Sequence, residues 1–590
     1  MSNTEIATIL RNVAAAYAIK NESKYRFQII AYQKAADAIE NSTSEVKDLY
    51  KEEKLESLPG VGPSIRQHLE ELITTGKVKH FAWVMQDIPE SVFTLLNVPT
   101  FGPKKSYRLV SEFGLKNPIA VIADLEKIAR AGKIASLEGF GAKSESDILQ
   151  AIQEYKQGRA KTKRMVLPYA AELAEKVLLY LKKSKAVIQA QPLGSLRRMV
   201  STVGDIDFAV VSNSPNEAIK HFIAYPYKDR VIEQGPTTAS ILISGGKQID
   251  LMVQSKDSFG SLLQHFTGSK HHNVHLREYA LKKGLSLSEH GIKKRVAGGK
   301  LRMETYETEE KFYKALGLQW IPPEMREDKG EIELASKNNL PQLVELKDIK
   351  GDFHIHSNYP IEPSHDMGKN TMEEMLEKAE KLRYEYLGFS EHNPSLSKHT
   401  STQIYSILSR RKDKIEQLND SNKYVRVINL LEVDILTSGK LAIDEKSLAT
   451  IDAAIVSIHS NFSMDKKTMT KRVLQGLSHP KAKILAHPTG RLLNIRSGYE
   501  LDFEKIFDFC IKNKKALEIN AWPTRLDLPD SLVFEAIKQG VKFVIDTDSH
   551  ALWQMEMMKY GVAVARRGWA KKSDILNTLP YNELISWLKS

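Results

Sequence analysis

Residues 194–207 read GSLRRMVSTVGDID, a segment that ends in two aspartates separated by one isoleucine. Side chains two positions apart on a β-strand point to the same side, roughly 6.6 Å apart along the chain. We therefore expect Asp205 and Asp207 to face one way, while Ile206 and Phe208 point into a core. The surrounding segment 186–255 contains several strand-like apolar stretches, which predicts a β-rich region around this pair.

A third aspartate, Asp250, lies in the strand-like stretch QIDL at 248–251. Three converging carboxylates repel one another unless cations lie between them. Two Mg²⁺ ions about 4 Å apart would stabilise the attacking and leaving oxygens of an in-line displacement. The hydroxyl of Ser195 and the guanidinium of Arg198 could then hold a triphosphate. We predict that the catalytic residues and Mg²⁺ ligands are Asp205, Asp207 and Asp250, and that Gly194, Ser195, Arg198 and Gly204 bind the nucleotide.

These residues resemble the palm domain of nucleotidyltransferases, and the stretch downstream narrows the resemblance. The run HFTGS at 265–269, followed by Asn273 and Arg277, resembles the pattern of family X DNA polymerases. The resemblance implies that Phe266 and Gly268 lie against the sugar of an incoming deoxynucleotide. It also implies that Asn273 contacts the incoming base and that Arg277 contacts the template strand.

The chain departs from the family pattern at two positions near this site. His265 stands where the family usually has Tyr, which leaves discrimination against ribonucleotides open. Gln248 replaces an Arg that animal relatives have before the third Asp. The neighbouring histidines are interpreted as solvated helix positions, not as metal ligands; they are His271, His272 and His275.

Residues 1–165 read as helices, and a glycine-containing turn before a helix recurs three times, as LPGVG at 58–62, VPTFG at 98–102 and LEGFG at 137–141. Gly lets a backbone approach a phosphate closely, and the N–H groups of the following helix attract that phosphate. The turns resemble helix-hairpin-helix motifs, with an ordinary packing corner between helices as the alternative. The resemblance implies DNA contacts that do not read bases, at Gly60, Gly62, Gly102, Gly139 and Gly141.

Animal repair members of the family use lysines of the N-terminal domain to grip a 5′-phosphate and to form a Schiff base. The aligned positions carry no lysine here; they are Gln28, Glu56, Ser64 and His68. A Schiff base needs an amine nucleophile. We therefore predict no lyase activity through that site.

From residue 351 onward, short apolar segments alternate with helical stretches, which predicts an α/β barrel or a parallel sheet. The C-terminal ends of barrel strands point into one shared mouth. Imidazole combined with carboxylate suits zinc, manganese or iron better than calcium. The metal ligands predicted at these segment ends are His354, His356, His392, Glu432, His459, His487, Asp548 and His550.

This set resembles the PHP phosphoesterase domain. The resemblance implies a three-metal centre holding Mn²⁺ or Zn²⁺ and, beside a polymerase, a 3′–5′ exonuclease, with abasic-site cleavage as a possible further activity. The ninth ligand is Asp366 or His365, and Glu391 stands where the family usually has Asp. Arg491 and Arg525 could either hold a DNA phosphate or be solvated at the surface.

The bulk properties of the chain agree with a partner that is a polyanion. It has 590 residues, a formal net charge of +12 and one cysteine, Cys510. This length requires several domains, a positive surplus favours nucleic acid, and a single cysteine excludes an internal disulfide framework. No apolar run is long enough to span a bilayer. We expect a cytoplasmic, nucleoid-associated monomer with no membrane contact, whose partners are gapped or primer-template DNA and deoxynucleoside triphosphates.

The sequence as a whole resembles bacterial family X DNA polymerases with a C-terminal PHP domain. The predicted fold class is multidomain: an α-helical helix-hairpin-helix region, an α+β nucleotidyltransferase palm and thumb, and a distorted TIM-like α/β barrel. The resemblance implies gap-filling DNA synthesis in repair together with the exonuclease. The alternatives are a small-molecule phosphatase tethered to DNA and a non-catalytic DNA-end scaffold. The predicted segments are an N-terminal DNA-binding domain at 1–85, a fingers-type domain at 86–165, the palm at 166–255, the thumb at 256–320, a linker at 321–350 and the PHP barrel at 351–590.

Overall fold

The computed structural model describes residues 1, 3–40, 46–51, 53, 55–58, 61–98, 101–156, 164–243, 247–295, 301–496 and 498–590. The chain divides into two compact units, Met1–Met165 with Lys220–Asp250, and Val166–Ile219 with Leu251–Ser590. Throughout these described ranges, every helix falls short of the length and apolarity that a bilayer crossing requires. The single cysteine, Cys510, is a buried thiol.

The N-terminal region is helical, as the sequence predicts. Its buried apolar residues form two clusters, one containing Leu10 and Leu69 and the other containing Leu109 and Leu125. Helices α4 and α7 each begin with a proline, whose fixed φ suits the first helical turn. The helices are α1 Asn3–Asn21, α2 Arg26–Glu40, α3 Val46–Lys51, α4 Pro63–Thr75, α5 Lys79–Met85, α6 Glu90–Leu95, α7 Pro103–Phe113, α8 Val121–Arg130 and α9 Ala142–Lys156, with a 3-10 turn at Leu55–Ser57.

A five-stranded sheet with the order β2-β4-β7-β6-β5 confirms the predicted β-rich segment. Strand β2 runs antiparallel to β4, and β5 runs antiparallel to β6, while β1 and β3 form a separate pair. The strands are β1 Met165–Val166, β2 Gln189–Pro192, β3 Thr202–Val203, β4 Ile206–Val211, β5 Lys228–Gln234, β6 Thr238–Ile243 and β7 Lys247–Gln254. The helices of this region are α10 Leu167–Leu181, α11 Gly194–Arg197 and α12 Pro215–Ile223.

The segment that follows forms helices around a small antiparallel sheet of order β10-β9-β8. Its apolar core includes Leu276, Phe312 and Leu316. The elements are α13 Phe259–Thr267, α14 Lys270–Lys282, β8 Leu285–Ser288, β9 Gly291–Arg295, β10 Leu301–Glu304 and α15 Glu309–Ala315, with a 3-10 turn at Lys256–Ser258.

The segment predicted as a linker, 321–350, packs into this same apolar core through Ile321, Met325 and Ile332. Its elements are α16 Glu331–Ser336 and the 3-10 turns Pro323–Met325 and Leu346–Asp348. The prediction that His272 is solvated is wrong. Its imidazole is fully buried and contacts Glu331 Oε1 at 2.6 Å and the Tyr313 hydroxyl at 3.0 Å.

The C-terminal half is a nearly closed parallel barrel of order β11 to β17 in sequence order. A parallel bridge between Ile355 and Ser549 brings the ends of the first and last strands together. Strands such as β14 are buried along their whole length, because helices cover the outside while side chains fill the inside. The strands are β11 Gly351–Ile355, β12 Tyr386–Phe389, β13 Arg426–Asp434, β14 Ala453–Ser457, β15 Ala482–Leu485, β16 Ala516–Asn520 and β17 Lys542–Asp546.

The helices of the barrel half follow its strands in alternation. They are α17 Met372–Lys381, α18 Ser401–Ser421, α19 Glu445–Leu448, α20 Lys466–Leu477, α21 Phe503–Lys512, α22 Asp530–Gln539, α23 Met558–Arg567 and α24 Tyr581–Lys589, with 3-10 turns at Leu552–Met557, Lys572–Asp574 and Leu576–Thr578. This βα alternation agrees with the TIM-like barrel that the sequence predicts.

Candidate active sites

The three palm aspartates come together on the five-stranded sheet. Ligand atoms of Asp205, Asp207 and Asp250 all lie within 4.8 Å of one another. Asp205 is exposed and directly precedes β4, while Asp207 lies on β4 and Asp250 on β7, both half-buried. Ile206 and Phe208 are fully buried on the opposite side of β4. Acidic and apolar side chains therefore alternate between the two faces of β4, as the sequence predicts.

The turn predicted to bind the nucleotide passes so close to this acidic cluster that only glycine fits at position 194. Its φ is +57°, and a Cβ built there would lie 2.7 Å from Asp207 Oδ2. The backbone N–H of Leu193 donates to the Asp207 carbonyl at 2.8 Å. The half-buried Ser195 follows in α11, and the exposed Gly204 directly precedes Asp205. The predicted nucleotide-binding residues therefore lie beside the predicted metal ligands.

Arg198, at the end of the same turn, forms hydrogen bonds with residues that the sequence did not single out. Its Nε donates to Glu327 Oε1 at 3.0 Å, and its Nη1 donates to the Thr267 carbonyl at 2.5 Å. Burial lowers the pKa of the Arg198 guanidinium, although Glu327 opposes that shift. A triphosphate would have to compete with these partners for Arg198.

The turn after α13 carries the residues expected at the incoming sugar and base. Gly268, at a φ of +69°, begins this turn, and Phe266 lies just before it, at the end of α13. The amide of Asn273 donates to the His265 carbonyl at 2.7 Å and accepts from Gln264 Nε2 at 2.9 Å. Asn273 therefore ties α14 to α13. The proposed contact with a base would need this amide to exchange partners.

His265, Arg277 and Gln248 are the other predicted positions of the polymerase half, and they lie on α13, α14 and β7. Burial lowers the pKa of the His265 imidazole. Arg277, expected at the template strand, lies on α14. Gln248, on β7, donates its amide to both carboxylate oxygens of Asp250, at 2.9 and 3.1 Å. Gln248 therefore contacts one of the three acids directly.

The ends of the barrel strands bring together most of the predicted ligands of the second half. Ligand atoms lie within 4.8 Å of one another in three overlapping groups of these residues, namely His354 with His356 and Glu432, His356 with His392 and His550, and His392 with Glu432 and His459. Two further predicted ligands contact them: Asp548 Oδ1 lies 3.3 Å from His356 Nε2, and His487 Nε2 lies 3.0 Å from Glu432 Oε1.

The side chains of this cluster suit metal cations. Several of their buried nitrogen and oxygen atoms have no hydrogen-bond partner, including His354 Nε2, both ring nitrogens of His356 and Glu432 Oε2. His354 Nε2 and Glu432 Oε2 are nonetheless only 3.1 Å apart. Buried polar atoms normally have partners, and imidazole with carboxylate is the donor set of zinc and manganese. The residues present therefore fit a multinuclear metal centre.

Electrostatics in this mouth favour charged carboxylates. Burial alone would raise the pKa of the Glu432 carboxyl, but its histidine neighbours, led by His392, hold that pKa well below the usual range. The pKa of Asp548 is likewise held well below its usual range against the effect of burial, chiefly by His354. Anionic oxygens are the form that a metal ligand requires.

Sequence reasoning missed two carboxylates here, Asp434 and Glu518. Asp434 Oδ1 lies 2.7 Å from His459 Nδ1, and the ligand atoms of Asp434, His459 and His365 form a further close group. Asp434 follows Glu432 by two positions on β13, the same spacing that identified the palm pair. Glu518 Oε1 lies 2.6 Å from His354 Nδ1 and orients that ring.

The sequence left open whether Asp366 or His365 is the ninth metal ligand. The group of Asp434, His459 and His365 bears on that choice. His365 Nε2 lies 3.2 Å from Asp434 Oδ2 and belongs to the group of three ligand atoms. Asp366 belongs to no such group among the described residues, although its charge acts on the pKa of His550. The geometry favours His365 as the additional ligand.

Three further residues of the barrel half that the sequence singled out are Glu391, Arg491 and Arg525. Glu391 is buried and paired with the buried guanidinium of Arg411, which gives it a structural role. Arg491 is half-buried, and its guanidinium donates to the carbonyls of Arg525 and Leu526. Arg525 Nε lies 3.6 Å from Asp548 Oδ2 at the edge of the metal cluster.

In the N-terminal domain, His68 is one of the four positions aligned with the family's lysines, and its imidazole contacts aromatic neighbours. The Tyr32 hydroxyl lies 2.8 Å from His68 Nδ1, and the His68 ring stacks on His80 with centroids 4.7 Å apart. Burial and His80 lower the pKa of His68. Glu56 pairs with Arg66, and Gln28 and Ser64 are exposed.

The glycines of the predicted helix-hairpin-helix turns lie at helix starts. Gly62 and Gly102 directly precede α4 and α7, and Gly141 precedes α9. A Cβ at any of these three would meet nothing within 4 Å, so packing within the chain does not demand glycine there. Gly139 lies in the third turn with a φ of +80°, and Gly60 lies outside the described residues.

Fold and sites together define a class: a nucleotidyltransferase with helix-hairpin-helix turns, joined to a metal-binding phosphoesterase barrel. Residues 262–327 match the family described as DNA polymerase beta thumb, and residues 1–78 match the helix-hairpin-helix domain. The chain is 33% identical over 594 residues to the DNA polymerase/3'-5' exonuclease PolX of Bacillus subtilis (strain 168), covering 100% of both chains. It therefore belongs to the PolX family of DNA polymerases, and the predicted family and fold class are confirmed.

Two eukaryotic relatives match about half of the chain at lower identity. DNA polymerase lambda of Rattus norvegicus is 24% identical over 352 residues, covering 55% of this chain and 56% of that protein. DNA polymerase lambda of Arabidopsis thaliana is 23% identical over 362 residues, covering 55% of this chain and 62% of that protein.

Proposed function

We propose that this protein fills short gaps in DNA during repair and trims 3′ ends with its barrel. The observation that carries the polymerase assignment is the convergence of Asp205, Asp207 and Asp250 within 4.8 Å, beside the turn that begins at Gly194. Clustered carboxylates of this kind suit Mg²⁺. Bound there, Mg²⁺ would stabilise the charge on the attacking and leaving oxygens of an in-line displacement.

The roles of the palm side chains follow from their places around the cluster. Asp205 and Asp207 would hold both cations, and Asp250 could also accept the proton of the primer hydroxyl. The Ser195 hydroxyl and the Arg198 guanidinium would bind the triphosphate of an incoming deoxynucleotide. The remaining contacts, to the sugar, the base and the template strand, are assigned to Phe266, Gly268, Asn273 and Arg277.

The barrel would hold Mn²⁺ or Zn²⁺ through the buried ligands of its mouth and cut phosphodiester bonds there. A metal of this kind supplies a nucleophile from water and neutralises phosphate charge. Arg525, at the edge of the cluster, can meet the phosphate of the terminal nucleotide. Cleavage at abasic sites would use the same groups.

The DNA partner is gapped or primer-template DNA, held through the helix-hairpin-helix turns. Space in front of Gly62, Gly102 and Gly141 lets a phosphate approach the helix starts. The net charge of +12 favours this polyanion. We also propose that the protein acts as a monomer in the cytoplasm, beside the nucleoid.

One experiment tests both activities on the same DNA. Labelled gapped DNA is incubated with deoxynucleotides, first with Mg²⁺ and then with Mn²⁺. Asp205→Ala should abolish extension and leave degradation intact, while His354→Ala should abolish Mn²⁺-dependent degradation and leave extension intact. The matched controls are Asp229→Ala on β5 and His479→Ala, whose imidazole pairs with exposed Glu445 away from the cluster.

Each contrary result points to a definite error. Extension that persists in Asp205→Ala would show that the palm assignment is wrong. Degradation that persists in His354→Ala would place the nuclease elsewhere. A wild-type protein that only hydrolyses phosphate monoesters would be a phosphatase tethered to DNA, and one inactive with either metal would be a scaffold.

A further inference from the structure

Arg567, at the end of barrel helix α23, contacts the nucleotide-binding turn of the palm. Its side chain is only 5% exposed. Its Nη1 donates to the backbone carbonyl of Arg198 at 2.7 Å and to Glu327 Oε1 at 2.9 Å, and its Nη2 donates to Asp530 Oδ2 at 3.0 Å. These residues all belong to the same compact unit. A barrel side chain therefore supports the residue expected to bind the triphosphate.

Glu327 is shared between the two arginines. Its Oε1 accepts from Arg198 Nε at 3.0 Å and from Arg567 Nη1 at 2.9 Å. Lys329 Nζ lies 4.0 Å from Asp530 Oδ2 at the other side of Arg567. Around Arg567 there are thus three cationic and two anionic side chains. The cations are Arg198, Arg567 and Lys329, and the anions are Glu327 and Asp530; this positive surplus suits an incoming anion.

Glu327 and the Thr267 carbonyl hold the Nε and Nη1 donors of Arg198, so a triphosphate competes with them for this guanidinium. Glu327 is half-buried, and a carboxylate that is partly shielded from water is more stable when it keeps a charged hydrogen bond. With Arg567 in place, Glu327 keeps such a bond after Arg198 has turned away. Without Arg567, Glu327 would hold Arg198 more strongly and resist the nucleotide.

We propose that Arg567 is a positioning residue for nucleotide binding, through which the barrel prepares the polymerase site. It fixes the Arg198 carbonyl and satisfies Glu327, so that the Arg198 guanidinium can exchange to the triphosphate. This proposal rests on the proposed function, because Arg198 meets a triphosphate only if the palm binds nucleotides.

The test uses the full chain in single-nucleotide gap filling under Mg²⁺, with KM and kcat measured for the incoming nucleotide. Arg567→Gln should raise the KM about tenfold, with kcat changed by less than about threefold, because Glu327 loses its bond to Arg567 and then holds Arg198 more strongly in the free enzyme. The exonuclease rate of the same sample should not change. That rate also reports folding, since Arg567 belongs to the barrel.

The matched control is Arg566→Gln, one position earlier on the same helix. Arg566 also bonds to residues outside the barrel strands, with Nε on Glu324 at 2.7 Å and Nη1 on the Val344 carbonyl at 3.0 Å. Among the described residues, the Arg566 guanidinium forms no hydrogen bond with the nucleotide-binding turn, so the nucleotide KM of Arg566→Gln should stay at the wild-type value.

A second variant tests the competition itself. Glu327→Gln removes the anion that holds Arg198, so the double variant with Arg567→Gln should return the KM most of the way to the wild-type value. A merely structural role for Arg567 would instead make the double variant as weak as Arg567→Gln or weaker. Arg567→Lys should have a KM between those of the wild type and Arg567→Gln, because lysine keeps the positive charge but lacks the several N–H donors of the guanidinium.

The outcomes separate this proposal from the proposed function. An unchanged KM in Arg567→Gln, an equal rise in Arg566→Gln, or no recovery in the double variant would each overturn the positioning role. If Arg198→Gln itself leaves the nucleotide KM unchanged, the error lies in the assigned triphosphate site. Loss of exonuclease in Arg567→Gln would show that the barrel, and not the turn, depends on this residue.

Discussion

The palm site and the barrel site both gather ligands for divalent cations, but they differ in their exposure to water. In the palm, Asp205 is exposed and its two partners are half-buried. In the barrel, His354 is 0% exposed, and His356 and Glu432 are 1% exposed. We therefore expect the exposed carboxylates to exchange cations more readily than the buried imidazoles and carboxylates. One chain therefore combines an acidic site that is open to water with a buried site of imidazoles and carboxylates.

The two sites also differ in how their ligands are oriented. The barrel ligand His354 is oriented by the fully buried Glu518, and His459 is held by Asp434. In the palm, Gln248 contacts Asp250 from an exposed position. Outer partners of metal ligands contribute most where water cannot replace them.

The largest contrast should come from metal removal. After long dialysis against a chelator and return to Mg²⁺ alone, extension should recover fully while the nuclease stays below about 1% of its starting rate, because the barrel metals supply its nucleophile. Mn²⁺ should then restore degradation. Metal analysis of the dialysed protein, with both activities measured on one sample, checks this. A full nuclease rate in a metal-free sample would break the comparison.

Asp434→Asn tests whether Asp434, which sequence reasoning missed, contributes to the barrel site. We expect a loss of about 100-fold in nuclease rate, with extension unchanged, because a charged partner of two histidines becomes neutral. Steady-state degradation of an end-labelled single strand measures the effect. Asp420→Asn, exposed on α18, is the control. An unchanged nuclease rate in Asp434→Asn would show that Asp434 does not contribute to the metal centre.

The spacing rules of β-strands account for much of what the sequence could predict. Alternation placed Asp205 and Asp207 on one face, and the same alternation relates Glu432 to Asp434, where it was not applied. The strand–helix order predicted the barrel, since each parallel strand needs a crossover connection. Strand ends in such a barrel must then share one mouth.

Contacts between distant parts of the chain could not be predicted in this way. Glu518 meets His354 across 164 positions, and Arg567 meets the Arg198 carbonyl across 369. No local period relates such residues, because their proximity depends on how complete elements pack. The burial of His272 likewise arises from α16, which lies in the segment predicted as a linker.

Glu518→Gln should weaken the barrel site without removing a ligand. The change keeps the shape but removes the charge that orients His354, so Mn²⁺ affinity and nuclease rate should fall about 10–100-fold. Titration of degradation against Mn²⁺ measures it, and high Mn²⁺ should recover most of the rate. Extension under Mg²⁺ is the internal control. A loss that no Mn²⁺ concentration recovers would mean that Glu518 does more than orient the ring.

Gln248→Ala is the corresponding change in the palm, and its effect should be the smallest. Gln248 donates to Asp250 at 2.9 and 3.1 Å, much as Glu518 holds a barrel ligand, but it is exposed. Water can replace this hydrogen bond, so gap filling should slow by no more than about fivefold. Single-turnover extension measures the difference, with Gln234→Ala on β5 as the control. If Gln248→Ala costs as much as Glu518→Gln, exposure to water does not explain why the two sites differ.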